Sequence, residues 1–479
     1  MGHIDHGKST LLDYIRKANV TGSEAGGITQ HLSAYEITIP YQKSDRTITF
    51  LDTPGHAAFA GMRERGAGAA DIAILVVSAE DGVKAQTIEA LKTIVAAGIP
   101  YIVAINKIDR PEANIERTKQ MLAEQEVLVE GYGGTIPWVA VSAKNGTGVS
   151  ELLDTILLVA DLEGMESHPN APLKGIVIES RLDAKRGIAA TIVIKEGVLK
   201  SGQFVVAGTA ITTTRIMENF LGKSITQAGP GTPVQLIGFD QAPSVGSNIN
   251  VFDKKRDAEK YVETIEAQPV VDTAVINVNH KVVPIIIKTD VFGTTEAIER
   301  EISKITIEGL RVKIISKGVG TIGEGDIRMA QSDKESIILG FNVGLDARAR
   351  DLNENVGAHI ETFTIIYKLT EWLAIELEKR RPRVETKVVI GTAKVLKVFS
   401  KTKDRQVIGC RIDSGTITNG AKVNIIRRDF PLATGIIIEI QQAKQKVKEI
   451  SDGECGLLVE CKYDIAGGDV LEAFIMTTI

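Results

Sequence analysis

Gly2-His3-Ile4-Asp5-His6-Gly7-Lys8-Ser9 opens the chain directly after Met1 and fits the phosphate-binding loop G-x-x-x-x-G-K-[ST]. Its glycines let backbone N–H groups curl around a β-phosphate. Lys8 can reach the β and γ oxygens, and the Ser9 hydroxyl is placed to hold Mg²⁺. Thr10 follows at the start of the expected helix and completes the phosphate-binding set. His3 and His6 read as packing or backbone partners rather than acid–base groups. Alone, the loop says only that a nucleoside triphosphate binds. Such loops follow a strand, and none precedes this one in the sequence. The sheet is therefore expected to lack its first strand, leaving neighbouring strands without a partner and the loop without an anchor.

Three further motifs follow in order and name the base. Asp52-Thr53-Pro54-Gly55-His56 comes after the apolar run Ile48–Leu51. Asp52 at a strand end can reach a Mg²⁺ shell through water, and the Gly55 N–H can approach a γ-phosphate because no side chain blocks it. Asn106-Lys107-Ile108-Asp109 follows Tyr101–Ile105. Asp109 can accept from guanine N1 and N2, donors that adenine does not offer; Asn106 adds polar contacts, and the Lys107 stem can lie along the ring. Ser142-Ala143-Lys144 follows Ile136–Val141, where the Ala143 N–H can donate to guanine O6. Each motif sits at the C-terminal end of an expected parallel strand, where open α/β sheets bind ligands. GTP or GDP with Mg²⁺ is the implied ligand.

Gly26-Gly27-Ile28-Thr29-Gln30 lies in a polar segment between the first helix and the next strand. Thr29 is the expected second hydroxyl on Mg²⁺. It can bond the metal only while a γ-phosphate holds the segment, which makes a switch; a plain glycine loop is the competing reading. His56 is the candidate catalytic residue, since its ring can swing toward the γ-phosphate and orient the attacking water. A surface histidine at a helix start is the alternative.

At 479 residues the chain exceeds one core. Hydrophobic residues at 43% and charged residues at 24% describe an ordinary globular protein. No apolar run approaches the roughly 20 residues that span a bilayer, so no membrane association is expected. Cys410, Cys455 and Cys461 form no C-x-x-C pair, so neither a disulfide framework nor a zinc site is suggested, and a cytoplasmic location is expected. Net charge is -5, but from Ile366 onward 19 Lys and Arg face 15 Asp and Glu, which places any RNA contact near the C-terminus.

The expected fold class is multidomain α/β and β. Buried apolar runs alternating with helical stretches make residues 1–165 a doubly wound phosphate-loop domain lacking its first strand. Short β runs and glycine turns make 171–253 a barrel. A charged connector spans 254–280, a second α/β domain 281–365, one helix 366–382, and a β-rich terminal barrel 384–479. Gly197-Val-Leu199-Lys-Ser-Gly202 and Gly415-Thr-Ile417-Thr-Asn-Gly420 share G-x-(L/I)-x-x-G before a strand, as two related barrels would, or as chance hairpin chemistry would.

Residues 1–160 look like a translational GTPase. The wording of His3–Lys8, Gly26–His31, Asp52–Phe59 and Ala79–Val83 resembles bacterial translation initiation factor two, as do Gly318–Ile322 with Glu324 and Asp326, Gly340–Val343, Cys410 and Gly453–Gly456. The resemblance covers nearly the whole chain and lacks the family's N-terminal region. It implies a factor that, loaded with GTP, captures formylmethionyl initiator tRNA by its last barrel. The factor would then promote joining of the small and large ribosomal subunits and hydrolyse GTP on the ribosome. It also implies that Cys410, Glu454, Cys455 and Gly456 line the pocket for the formyl-methionine end; two buried structural cysteines are the other reading. Arg427, Arg428 and Lys444, with Lys446 and Lys448, are candidates for acceptor phosphates, or a solvated charged face. The helix near 367–380 is a rigid spacer or a core helix of the third domain. A monomer is expected. Two alternatives stand beside this: a GTPase-inactive form that only binds initiator tRNA and the ribosome, and an elongation-type or selenocysteine-type factor.

Overall fold

Apolar runs with no polar face must be covered on both sides, and they form the parallel centre of the first domain. The computed structural model describes residues 1–17, 29–42, 44–183, 185–266, 281–381, 385–443 and 445–478. Its first elements are α1 (Lys8–Arg16), β1 (Ser33–Tyr41), β2 (Ser44–Asp52), α2 (Ala60–Ala69), β3 (Ala73–Ser78), α3 (Ala85–Ala97), β4 (Tyr101–Asn106), α4 (Ile115–Ala123), β5 (Trp138–Ala140) and α5 (Val149–Leu162). Strands β3, β4 and β5 pair in parallel, whereas β1 and β2 form a separate antiparallel ribbon. Met1 supplies the contact between the loop and β3: its N–H donates to Ile74 O at 2.8 Å and its carbonyl accepts from Val76 N at 2.8 Å. A cavity of about 680 Å³ is lined by Met1, Leu11, Phe50 and Asp52 of the loop side and by Ile74 and Val76 of β3.

The barrel follows: β6 (Lys174–Asp183), β7 (Gly187–Glu196), β8 (Leu199–Lys200), β9 (Phe204–Ala207), β10 (Ala210–Thr213), β11 (Met217–Asn219), β12 (Gln227–Ala228), β13 (Pro233–Phe239) and β14 (Ile249–Phe252). Helix α6 (Lys255–Glu266) covers Val206 with Ala258 and Val262. The rest of the expected connector, 267–280, lies outside the described residues.

The next α/β layer holds β15 (Lys281–Thr289), α7 (Phe292–Lys304), β16 (Leu310–Val319), α8 (Glu324–Gln331), β17 (Ile337–Phe341), α9 (Ala347–Val356), β18 (His359–Phe363) and α10 (Ile366–Lys379). Its sheet is parallel in the order β16-β15-β17-β18. Helix α10 turns Ile366, Leu369, Leu373 and Leu377, all fully buried, into this core. It is therefore a core helix of this layer along most of its length. Ala58, Phe59 and Met62, which begin the helix after Asp52-Thr-Pro-Gly, share that same core.

The chain divides into two compact units, Met1–Arg381 and Pro382–Ile479. The second is an antiparallel barrel of β19 (Glu385–Thr402), β20 (Arg405–Gly415), β21 (Ile417–Thr418), β22 (Lys422–Arg427), β23 (Phe430–Gln442), β24 (Gln445–Val447), β25 (Glu449–Ile450), β26 (Glu454–Glu460) and β27 (Val470–Thr478). The two glycine repeats adopt one design. Each brackets a two-residue strand, β8 or β21, between glycines of positive φ (76° and 94°; 73° and 83°), and each strand pairs antiparallel with another short one. Among the described residues no helix is long and apolar enough to cross a membrane.

Candidate guanine-nucleotide site

The phosphate loop is fixed by groups that the loop motif does not contain. Gly7 has φ 83° and a Cβ there would lie 2.4 Å from Asn106 Nδ2, so both backbone and space require glycine. Asn106 is buried at the end of β4; its Nδ2 donates to His6 O at 2.8 Å and Gly7 O at 3.4 Å, and its Oδ1 accepts from Ala143 N at 3.0 Å. Ile4 N donates to Gln86 Oε1 at 3.0 Å. His6 is fully buried beside Val76 O and Ser78 N, and burial takes its pKa down to about 4. Gly2, His3 and Ile4 run along the loop, Asp5 takes positive φ (62°), and α1 then begins at Lys8, with Ser9 and the exposed Thr10 in its first turn. A helix start of this kind points N–H groups at an anion.

Lys8 Nζ donates to His3 O at 2.6 Å, and burial lowers its pKa to about 8, with Asp52 opposing. Gly55 packs so closely that a Cβ would sit 2.7 Å from Lys8 Nζ. Ser9, Thr29 and Asp52 come together from three elements: Ser9 Oγ to Thr29 Oγ1 at 2.6 Å, Ser9 Oγ to Asp52 Oδ2 at 3.4 Å, and Thr29 Oγ1 to Asp52 Oδ2 at 3.3 Å. Three hard oxygens on one point are the donor set Mg²⁺ prefers, so these residues fit that ion. Burial holds the Asp52 pKa above its ordinary value, against the pull of Lys8; a cation there would reverse that cost.

At the base side, Ser142 Oγ donates to Asp109 Oδ1 at 2.6 Å, and this bond holds the carboxylate below its ordinary pKa. Asp109 and Lys144 are exposed, while Ser142 and Ala143 are buried beneath them. Lys107, at positive φ (64°), reaches Glu80 and Asp81 at 3.5 and 3.6 Å. The structure therefore brings the loop, Asp52, Asn106 and Ala143 into one connected network.

His56 is half-buried. Its Nδ1 accepts from Ala58 N at 2.9 Å, and burial lowers its pKa. Gly26–Ile28 of the expected switch lie outside the described residues. Beyond Thr29, Gln30 Nε2 donates to Thr364 O at 2.9 Å and His31 Nε2 lies 3.2 Å from Asp290 Oδ2. The pattern of residues gave no sign of this docking onto the second α/β layer. Nor did it show Arg63, almost wholly buried, which donates to Pro54 O and His56 O and pairs with Glu89. Arg63 stands in the charged run Arg63-Glu64-Arg65, and no local pattern marks it as the buried member.

In the terminal barrel, Cys410 (0% exposed) and Cys455 (6% exposed) face each other in register within the barrel core. Alternation along β20 and β26 turns them inward and leaves Glu454 exposed beside half-buried Gly456. Burial pushes the Cys455 thiol up to about 11 and Cys410 further. Arg427 binds Asp469 through Nε at 2.7 Å and Nη2 at 2.8 Å, and Arg428 is exposed. Lys444 lies outside the described residues; Lys446 pairs with Glu439 and Lys448 is exposed.

This fold and site define a phosphate-loop GTPase domain of the translation-factor class. Residues 1–161 match the elongation factor Tu GTP binding domain, 172–252 match elongation factor G domain 2, and 256–374 match translation-initiation factor 2. The whole chain aligns with translation initiation factor IF-2 of Bacillus cytotoxicus at 41% identity over 71% of that protein. It aligns with IF-2 of Carboxydothermus hydrogenoformans at 40% identity over 59% of that protein. The chain belongs to the bacterial translation initiation factor IF-2 family. It spans about three-fifths to seven-tenths of the length of these curated relatives. A solved structure of GDP-bound aIF5B from Aeropyrum pernix aligns at 24% identity with TM-score 0.45, covering 98% of this chain and 90% of that one.

Proposed function

We propose that the chain is a GTP-dependent initiation factor that binds formylmethionyl initiator tRNA, promotes joining of the ribosomal subunits and hydrolyses GTP to GDP on the ribosome. The observation that carries the nucleotide part is the convergence of Ser9, Thr29 and Asp52 on one point, in a loop tied through Asn106 to the Asp109–Ser142 pair. Asp109 selects guanine, the Ala143 N–H is shared between Asn106 Oδ1 and guanine O6 when the base binds, and the loop N–H groups with Lys8 hold the phosphates. Mg²⁺, held by Ser9 and Thr29 and by Asp52 through water, would offset charge on the β and γ oxygens. Gly55 lets its N–H meet the γ-phosphate, and His56 orients the attacking water. For the tRNA end, Cys410, Glu454, Cys455 and Gly456 are the proposed contacts of the formyl-methionine, and Arg427, Arg428 and Lys444 those of the acceptor phosphates. The family assignment supports cytoplasmic action on both ribosomal subunits, as a monomer.

Fluorescent GDP titration and filter binding of formylated against unformylated initiator tRNA test this reading. Saturable GDP binding with a preference for the formylated tRNA is expected; equal tRNA affinities would defeat the initiator assignment. His56→Ala should spare GTP binding and abolish ribosome-stimulated hydrolysis. The alternative is a form that only binds initiator tRNA and the ribosome. It predicts tRNA capture without saturable GDP binding.

A further inference from the structure

Both segments expected to sense the γ-phosphate end on the same short stretch of the second α/β layer. Gln30, next to Thr29, donates to Thr364 O. The His56 ring packs edge-on against Tyr367, with ring centroids 4.1 Å apart and planes at 86°, and Phe59 closes the other side at 6.1 Å. Tyr367 stands in the first turn of α10, one residue after Ile366, which is sealed in the core. Its position therefore follows that of the helix. The histidine has few other choices in this arrangement. Its Nδ1 is occupied by Ala58 N, its carbonyl by Arg63, and the charges that act on the ring besides burial are Glu301 and Lys304 of α7 and Arg63, not Lys8 of the phosphate loop. The ring is thus turned toward the α/β layer.

We propose that Tyr367 is a positioning residue that parks His56 against α10, and that displacement of α10 frees the ring to reach the attacking water. The proposal rests on the catalytic reading of His56. Hydrolysis should therefore be slow until something moves the helix, without any change at the phosphate loop itself.

The test uses the full chain as wild type, Tyr367→Ala, Tyr367→Phe, His56→Ala and the Tyr367→Ala/His56→Ala double variant. Two quantities are read: the His56 ring resonances by carbon-edited NMR, assigned by their loss in His56→Ala, and single-turnover GTP hydrolysis without ribosomes. Tyr367→Ala should move the His56 resonances and raise turnover about three- to tenfold, the population change expected from removing one aromatic pair. Tyr367→Phe keeps the ring and should match wild type in both readouts. The double variant should fall to the level of His56→Ala. If Tyr367→Ala leaves the resonances unmoved, or leaves turnover unchanged or lowers it while His56→Ala is slow, the latch is wrong and the catalytic role stands. If the double variant turns over as fast as Tyr367→Ala, the catalytic role fails and the latch falls with it.

Discussion

Ser142 and Asp109 are 33 residues apart in sequence, yet the serine hydroxyl donates to the aspartate carboxylate at 2.6 Å. The bond holds the exposed Asp109 carboxylate below its ordinary pKa, so it stays ionised to meet a base with two adjacent donors. Asp109→Asn would present an N–H to guanine N1–H and N2–H. Losing two charge-assisted hydrogen bonds costs about 3–6 kcal/mol, so GDP affinity should drop roughly 10²- to 10⁴-fold. Xanthosine diphosphate carries a carbonyl where guanine has the amine, and it should bind the variant better than GDP does. Competition titration of the two nucleotides checks both statements.

Asn106 joins the base side to the phosphate side, and its replacement should be felt by both. Asn106→Ala strips a donor from His6 O and an acceptor from Ala143 N in a buried setting. A loss of about 1–3 kcal/mol in stability is expected. GDP affinity should fall as well, because the loop and the Ala143 N–H are no longer held in register. Urea denaturation and a GDP titration on the same variant measure the two effects; a loss of one without the other would show that Asn106 does not couple them.

The parts of the site that lie along one strand end were legible from the residues: Asp52, Asn106, Asp109 and Ala143 each follow a buried apolar run, and strand direction alone puts them on one rim. The apolar run Tyr101–Ile105 falls within one residue of β4 for the same reason: it is continuous and has a clear stop. Helix α2 was not, because Ala-Gly-Met-Arg-Glu-Arg-Gly-Ala-Gly-Ala has three glycines and no apolar stripe. It is helical because it is squeezed between α3 and α7, which is tertiary information. Strand β18 (His-Ile-Glu-Thr-Phe) reads as half polar and becomes a strand by pairing with β17. The docking of Gln30, His31 and Phe59 onto the second α/β layer depends on surfaces far apart in sequence, and no local pattern encodes it.

Glu179 gives a stability prediction with a definite sign. It sits in β6 beside His31 (3.9 Å) and near Asp290, and burial pushes its pKa up to about 7 from an ordinary 4.5. Between these values the native state holds a proton that the unfolded chain has released, so stability falls as pH rises from about 4.5 to 7 and stays low above. Glu179→Gln removes the ionisation. The variant should match wild type near pH 5 and exceed it at pH 8 by roughly 1–3 kcal/mol. Urea unfolding of the first unit at the two pH values reads this; an equal effect at both would place the burial cost elsewhere.

Phe59 tests whether the switch helix and the second α/β layer fold as one body. The ring is 1% exposed and shares a core with Ile285, Leu339, Ile366 and Leu369. Phe59→Ala should destabilise the first unit by about 3–5 kcal/mol, the usual cost of emptying a packed aromatic site. It should also reduce amide protection along α10 and β15, which lie more than 200 residues away in sequence but line the same void. Ile440, fully buried in the second unit, supplies the contrast. Ile440→Ala should cost a comparable 2–5 kcal/mol, confined to the melting of residues 382–479. If Phe59→Ala left α10 protection intact, the helix that follows His56 could move without the layer beneath it, and α10 would have no mechanical hold on the phosphate site. Calorimetry with hydrogen exchange on the two variants decides the matter, because the two units should then melt with independent shifts.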